Sequence, residues 1–245
     1  MKDSYQIYGI RAVIEAIKSG KSIDKIFIQK KLGGHLFSEL NALIKKENLN
    51  CAFVPPEKLN RLTSKNHQGV VAVTSPITFH NFEELVISVI ESAKTPLFLI
   101  LDQVSDVRNF GAMIRTAVCA GADGIIIPKS GSAPVTADTV KTSAGAVFTL
   151  PICKVNHLKD AVYYLQASGI KVVAATEKTD HTLYNTSFTV PVAIIMGAED
   201  KGIAPSLLKI ADEKARLPLH GNISSLNVSV ACGIFLYEVI RQRNL

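Results

Sequence analysis

Only four cysteines occur in 245 residues, Cys51, Cys119, Cys153 and Cys232, and none belongs to a Cys-x-x-Cys pair. That spacing excludes a recognisable zinc site and predicts buried thiols in a reducing compartment. No other cluster of metal ligands is visible, so no metal is expected. The N-terminal Met1-Lys-Asp-Ser-Tyr-Gln lacks a basic region followed by an apolar core, which gives no sign of a signal peptide. No apolar run approaches membrane-spanning length, and neither an internal repeat nor a low-complexity tract occurs. These absences predict a cytoplasmic protein with no membrane association.

What is present is the composition of a folded chain: 47% hydrophobic residues and 20% charged ones, in a length that suits one large or two ordinary domains. The formal net charge of +6 is unevenly placed. Residues 1–75 hold 12 Lys and Arg against 6 Asp and Glu, whereas residues 76–245 hold 15 of each. A locally basic module favours a polyanion such as RNA, through steering and counterion release.

Hydrophobic periodicity predicts a helix over 7–19, with Ile10, Val13, Ile14 and Ile17 on one face and Gly20 as its stop. A strand over 25–29, a helix carrying Leu36, Leu40, Leu43 and Ile44, a strand over 51–54, a short helix over 57–62 and a strand over 70–73 complete a small α/β module of residues 1–75. Its turns are basic at Lys30-Lys31, Lys45-Lys46 and Arg61 to Lys65. Residues 76–95 read as a linker with a bridging helix over 81–93. From residue 96 to 245, apolar runs alternate with helices, with strands expected at 97–101, 124–127, 148–152, 171–175, 192–196 and 215–217. Continuous apolar strands of this kind indicate a parallel sheet covered on both faces. Ligands of such sheets bind beyond the carboxyl ends of the strands, so the loops after Leu101, Ala175, Met196 and Leu217 are the places to search.

The last stretch, from Leu217 to Arg243, reads as a strand end, a polar loop and a helix that is apolar nearly all round, which predicts a buried tail. Ser224 or Ser225 is the expected N-cap, and a helix N-terminus offers free N–H groups to a ligand. The loop after the first strand holds only Gly111, and the second strand ends in Pro128-Lys129, so a dinucleotide fold is excluded. A Walker loop and a nucleophile elbow are also missing.

Three motifs in order carry a resemblance: Asn109-Phe-Gly-Ala-Met-Ile-Arg115-Thr-Ala, Met196-Gly-Ala-Glu199-Asp-Lys-Gly202, and Leu217-Pro through Ser225-Leu-Asn227-Val-Ser. Together they make residues 97–243 similar to the SpoU/TrmH branch of the SPOUT RNA methyltransferases. The N-terminal Tyr8-Gly9-Ile-Arg-Ala-Val-Ile-Glu-Ala16 and His67-Gln-Gly-Val-Val-Ala72 resemble the RlmB-type substrate-binding domain, which has an L30e-like fold. The resemblance implies a C-terminal SPOUT domain with a deep trefoil knot, a homodimer, and methyl transfer from S-adenosylmethionine to a ribose 2′-hydroxyl. It further implies a guanosine of the peptidyl-transferase region of 23S rRNA as target, with no DNA partner expected. A tRNA ribose methyltransferase and a non-catalytic RNA-binding paralogue are the alternatives.

Carried over by motif, the cofactor contacts fall on Thr176, Met196, Gly197, Leu217 and Leu226, with Gly197 allowing close backbone approach. The catalytic set becomes Asn109, Arg115, Glu199, Ser225 and Asn227. A guanidinium rarely gives up its proton, so Arg115 is expected to clamp a phosphate bidentately rather than act as base. Glu199 is expected to orient Arg115 or the third motif. Asn109 and Asn227 also suit helix caps. His67 and His220 stay outside the catalytic set.

Overall fold

The computed structural model describes residues 6–221 and 225–244. The chain divides into two compact units, residues 1–78 with 134–137, and residues 79–133 with 138–245. Each is built around its own sheet.

The first unit orders four strands as β1 (Gln6–Tyr8), β4 (Val70–Thr74), β2 (Ile23–Gln29) and β3 (Cys51–Val54). The pairs β1/β4 and β4/β2 are antiparallel, and β2/β3 is parallel. Side chains alternate across these strands. Ile26, Ile28, Val70 and Ala72 meet Ile10, Val13, Ile14, Leu40 and Ile44 of helices α1 (Ile10–Lys18) and α2 (His35–Lys46). The opposite face carries a smaller cluster, Val54 and Val71 against Leu59 of α3 (Pro56–Leu62). The helix expected over 7–19 is thus split. Gly9, at φ 90°, ends a strand at Tyr8 and lets α1 begin one residue later. Pro55 stops β3 and caps α3, whose first residue is Pro56.

The second unit opens with α4 (Phe82–Glu91), capped by Asn81, and builds a sheet of six parallel strands. Their order is β10 (Glu213–Ala215), β8 (Lys171–Ala175), β9 (Val192–Met196), β5 (Leu97–Leu101), β6 (Gly124–Pro128) and β7 (Ile152–Val155). Every residue of β5 and β9 is buried, as expected of strands covered on both faces. One face packs on α4, α7 (Leu158–Ala167) and α8 (Pro205–Leu208), around Phe98, Ile100, Val172 and Ile195. Two strand positions correct the sequence reading. The apolar segment 146–148 is a 3-10 turn that leaves Phe148 58% exposed, and the strand starts only at Ile152. The last strand ends at Ala215, two residues before Leu217.

Helix α5 (Val107–Cys119) packs on the final helix α9 (Val228–Arg243), which also meets β9. Gly111 permits a close crossing: a Cβ there would lie 1.9 Å from Thr142 Oγ1 of α6 (Ala137–Thr142). The end of α9 is tied to chain far upstream. The Arg243 guanidinium donates to the carbonyls of Thr95, Pro96, Phe188 and Val190, and Gln242 donates to Thr186 O. Yet α9 is not buried all round, because Val230 and Tyr237 are 51% and 52% exposed on one side. The thiols divide as well. Burial pushes Cys153 and Cys232 up to about 12, whereas Cys51 is half-buried and Cys119 exposed.

Candidate functional site

A cavity of about 350 Å³ opens beyond the carboxyl ends of β8, β9 and β10, at the start of α9. Its lining holds all five residues expected to meet a cofactor: Thr176, Met196, Gly197, Leu217 and Leu226. Thr176 follows β8, and its amide donates to Ala215 O while its hydroxyl accepts from Lys178 N. Met196 closes β9 and is buried. Val228, Ala231 and Phe235 add one face of α9, and the loop after β8 adds Glu177 and Lys178. Glu177 and Lys178 lie in the loop after Ala175 that the sequence marked for search, whereas Val228, Ala231 and Phe235 were read only as a buried helix face, which carries no signal of a shared cavity.

Gly197 has a more specific reason than ligand access. A Cβ there would stand 2.2 Å from Gly202 C and 2.3 Å from Ile203 N. The loop turns back on itself through Ala198 N to Gly202 O at 3.2 Å and Gly202 N to Ala198 O at 2.8 Å. Gly197 therefore makes room for the loop's own backbone, and that tight turn carries Glu199. Asp102, buried at the end of β5, accepts from Ala204 N at 2.7 Å and anchors the far side of the loop. Sequence reasoning missed it, although a lone acid directly after an apolar strand was its visible signal.

The three motifs meet at the cavity mouth. Asn227 caps α9, its Oδ1 accepting from Ser229 N and Val230 N. Ser224 lies outside the described residues, and Ser225 does not take the cap. With Oδ1 committed to the helix, the Asn227 amide donates to Asn109 Oδ1 at 3.0 Å and to Glu199 Oε1 at 3.3 Å. Asn109 in turn donates to Glu199 Oε2 at 3.1 Å. Asn109 is not the cap of α5; Asp106 is, accepting from Arg108 N and Asn109 N. The three side chains form a closed hydrogen-bonded ring in which Asn227 donates to both partners and Glu199 accepts from both. Ser225 lines the adjoining cavity and is exposed.

Arg115 stands apart. Six residues of helix rotate it about 240° from Asn109. It is exposed, and among the described residues no hydrogen bond or ion pair joins it to Glu199 or Asn227. His220 is exposed and takes no part in the ring.

Apolar walls beside the charged side chains of Glu177, Lys178, Glu199, Asp200 and Lys201 suit a small ligand with an apolar body and charged groups. Fold and cavity define a parallel α/β domain that binds such a ligand at its strand ends. The profile of the SpoU rRNA methylase family matches residues 96–237, and that of the RNA 2′-O ribose methyltransferase substrate-binding domain matches residues 6–80. The chain is 33% identical over 238 residues to YacO of Bacillus subtilis, named as a TrmH family tRNA/rRNA methyltransferase, covering 97% of this chain and 96% of that protein. It is 34% identical to the 23S rRNA (guanosine-2′-O-)-methyltransferase RlmB of Vibrio vulnificus, over 98% of this chain and 96% of that one. Among solved structures, the AdoMet-bound rRNA methyltransferase of Sinorhizobium meliloti superimposes with a TM-score of 0.62 at 27% identity, over 97% of this chain and 87% of that one. The chain belongs to the SpoU rRNA methylase family. It is an RNA methyltransferase with S-adenosylmethionine as methyl donor.

Proposed function

We propose that this enzyme methylates the ribose 2′-hydroxyl of a guanosine in the peptidyl-transferase region of 23S rRNA, in the cytoplasm. The observation that carries the reading is the ring of Asn109, Glu199 and Asn227 at the mouth of the cofactor cavity. The RlmB relative favours guanosine of 23S rRNA, while the name of the Bacillus relative leaves tRNA as the second reading. The basic N-terminal unit, read as an L30e-like RNA-binding domain, favours the larger substrate.

Bound S-adenosylmethionine supplies an electrophilic methyl on a sulfonium. The protein must place the hydroxyl in line and favour its loss of a proton, since a ribose hydroxyl is a weak nucleophile. Leu217, Leu226 and Phe235 offer apolar contact to the adenosine, and Thr176, Met196 and Gly197 bring the strand ends to it. Ser225 and the ring of Asn109, Glu199 and Asn227 orient the ribose. Arg115 clamps the neighbouring phosphate.

Because Arg115 faces away from its own ring, the reading assigns it to the site of a second protomer. The exposed Val230 and Tyr237 give α9 an apolar side suited to a homodimer seam. The knot belongs to the same reading: anchorage of Arg243 to carbonyls just before β5 and just before β9 supports a tail threaded through the domain. The test is methyl transfer to 23S rRNA and to tRNA, with the modified ribose mapped. Transfer to the rRNA guanosine is expected; transfer to tRNA alone would overturn the substrate.

A further inference from the structure

The His67-Gln68-Gly69 motif of the first unit takes no part in methyl transfer as described above. It borders an open cavity of about 540 Å³ lined by Asn60, Thr63, Ser64, Lys65, Asn66 and His67. Among the described residues, no carboxylate and no apolar side chain lines it. The histidine is held at both ring nitrogens. Gly69 N donates to Nδ1 at 3.0 Å, so the proton sits on Nε2, which lies 2.9 Å from Asn60 Oδ1. That bond fixes the carboxamide: its oxygen is taken by the histidine, and both N–H bonds of Nδ2 are left for a ligand.

The backbone is shaped to hold this arrangement. Gln68 and Gly69 are both left-handed, at φ 48° and 80°, and a Cβ on Gly69 would meet Leu32 Cδ1 at 2.9 Å. Thr63 Oγ1 accepts from Lys65 N, which turns the loop at its other end. The result is a recess lined by a fixed amide, hydroxyls and an ammonium, with exposed Arg61 and Glu57 on the helix beside it and Lys58 set over the Phe27 ring. Several of the unit's carboxylates are engaged elsewhere: Glu15 and Glu39 pair with Lys18, and Glu47 with Lys46. Donors in excess of acceptors, with Lys65 and Arg61 against the single carboxylate of Glu57, match a phosphate better than a nucleobase edge, which presents both kinds of group.

We propose that this cleft is a backbone-phosphate subsite for the RNA substrate, with Asn60 and Lys65 as contacts and His67 as the positioning residue that aims Asn60. The proposal rests on the reading of residues 6–80 as the RNA-binding unit. It predicts a contact that is blind to sequence and sensitive to salt.

Asn60→Asp is the selective test in the full-length protein. A carboxylate oxygen still accepts from His67 Nε2, so the loop is kept, but two donors become a negative charge. Binding of a labelled RNA hairpin, measured by anisotropy, is expected to weaken about tenfold or more without a loss of melting temperature. Lys65→Gln is expected to lower the slope of log affinity against log salt by about 0.7 to 0.9, as for one lost phosphate contact. Lys159→Gln on α7 should keep the wild-type slope. If the wild-type protein binds the hairpin and neither Asn60→Asp nor Lys65→Gln alters that binding, the subsite is overturned while the unit's RNA-binding role stands. If the wild-type protein binds cofactor but no RNA, the underlying reading falls and the subsite with it.

Discussion

Asn227 does two jobs with one carboxamide, and the two can be separated by substitution. Its oxygen caps α9, and its nitrogen joins Asn109 and Glu199, which are 118 and 28 residues away in sequence. Serine is nearly as good a cap but has no second donor with that reach. Asn227→Ser is therefore expected to change stability by less than about 0.5 kcal/mol in thermal unfolding. The same variant should lower kcat for methyl transfer by about tenfold or more, because Asn109 and Glu199 lose their common donor. A variant with wild-type kcat would reduce the ring to a brace. Arg115 calls for a different comparison. A bidentate clamp cannot be copied by a point charge, so Arg115→Lys is expected to lose on the order of tenfold to a hundredfold in kcat at saturating RNA. Near-normal turnover in that assay would exclude the clamp. Asn109, Glu199 and Asn227, which the structure brings together, stood out in the sequence through their motifs. Which candidates touch was not legible there, because Ser224, Ser225 and Asn227 are all good caps and only tertiary partners separate them.

Among the elements, legibility followed burial. Strands β5, β8 and β9 stood out as apolar runs because their residues are sealed between helices. In β10, Glu213-Lys214-Ala215 buries only the alanine, so no pattern marks it. Apolar Phe148 drew the strand before β7 too early, since its exposure is invisible to hydropathy. The loop after β9 shows the same limit more sharply. A glycine after a strand suggests room for a ligand, whereas Gly197 makes room for Gly202 and Ile203. Gly197→Ala should force the turn open and carry Glu199 away from Asn109 and Asn227. Overpacking of this kind destabilises by about 1–3 kcal/mol. Calorimetric affinity for S-adenosylmethionine is expected to fall by about tenfold or more, since Met196 through Gly202 form one wall of the cavity. Unchanged affinity would mean that the loop yields without disturbing the wall.

For the whole molecule, the proposed function raises the question of how Arg115 would reach a ribose held by Asn109 and Asn227. Within one chain it is exposed and turned about 240° around α5 from Asn109, and α5 packs on the helix whose outer face carries Val230 and Tyr237. A closed two-fold pairing through that face would repeat the same seam on both copies and bring each arginine toward the partner's ring. Complementation distinguishes this from action within one chain. Arg115→Ala and Asn227→Ser homodimers should each be impaired. Co-refolding them in equal amounts gives mixed dimers, in which one site regains both intact residues only if Arg115 acts across the seam. Random pairing predicts recovery of about a quarter of wild-type activity, from mixed dimers with one good site of two. Action within a chain predicts no recovery at any mixing ratio, because neither protomer then holds both residues. If that seam forms, Val230→Glu should shift sedimentation from dimer to monomer and remove methyl transfer while cofactor binding persists, since the cavity is lined from a single chain.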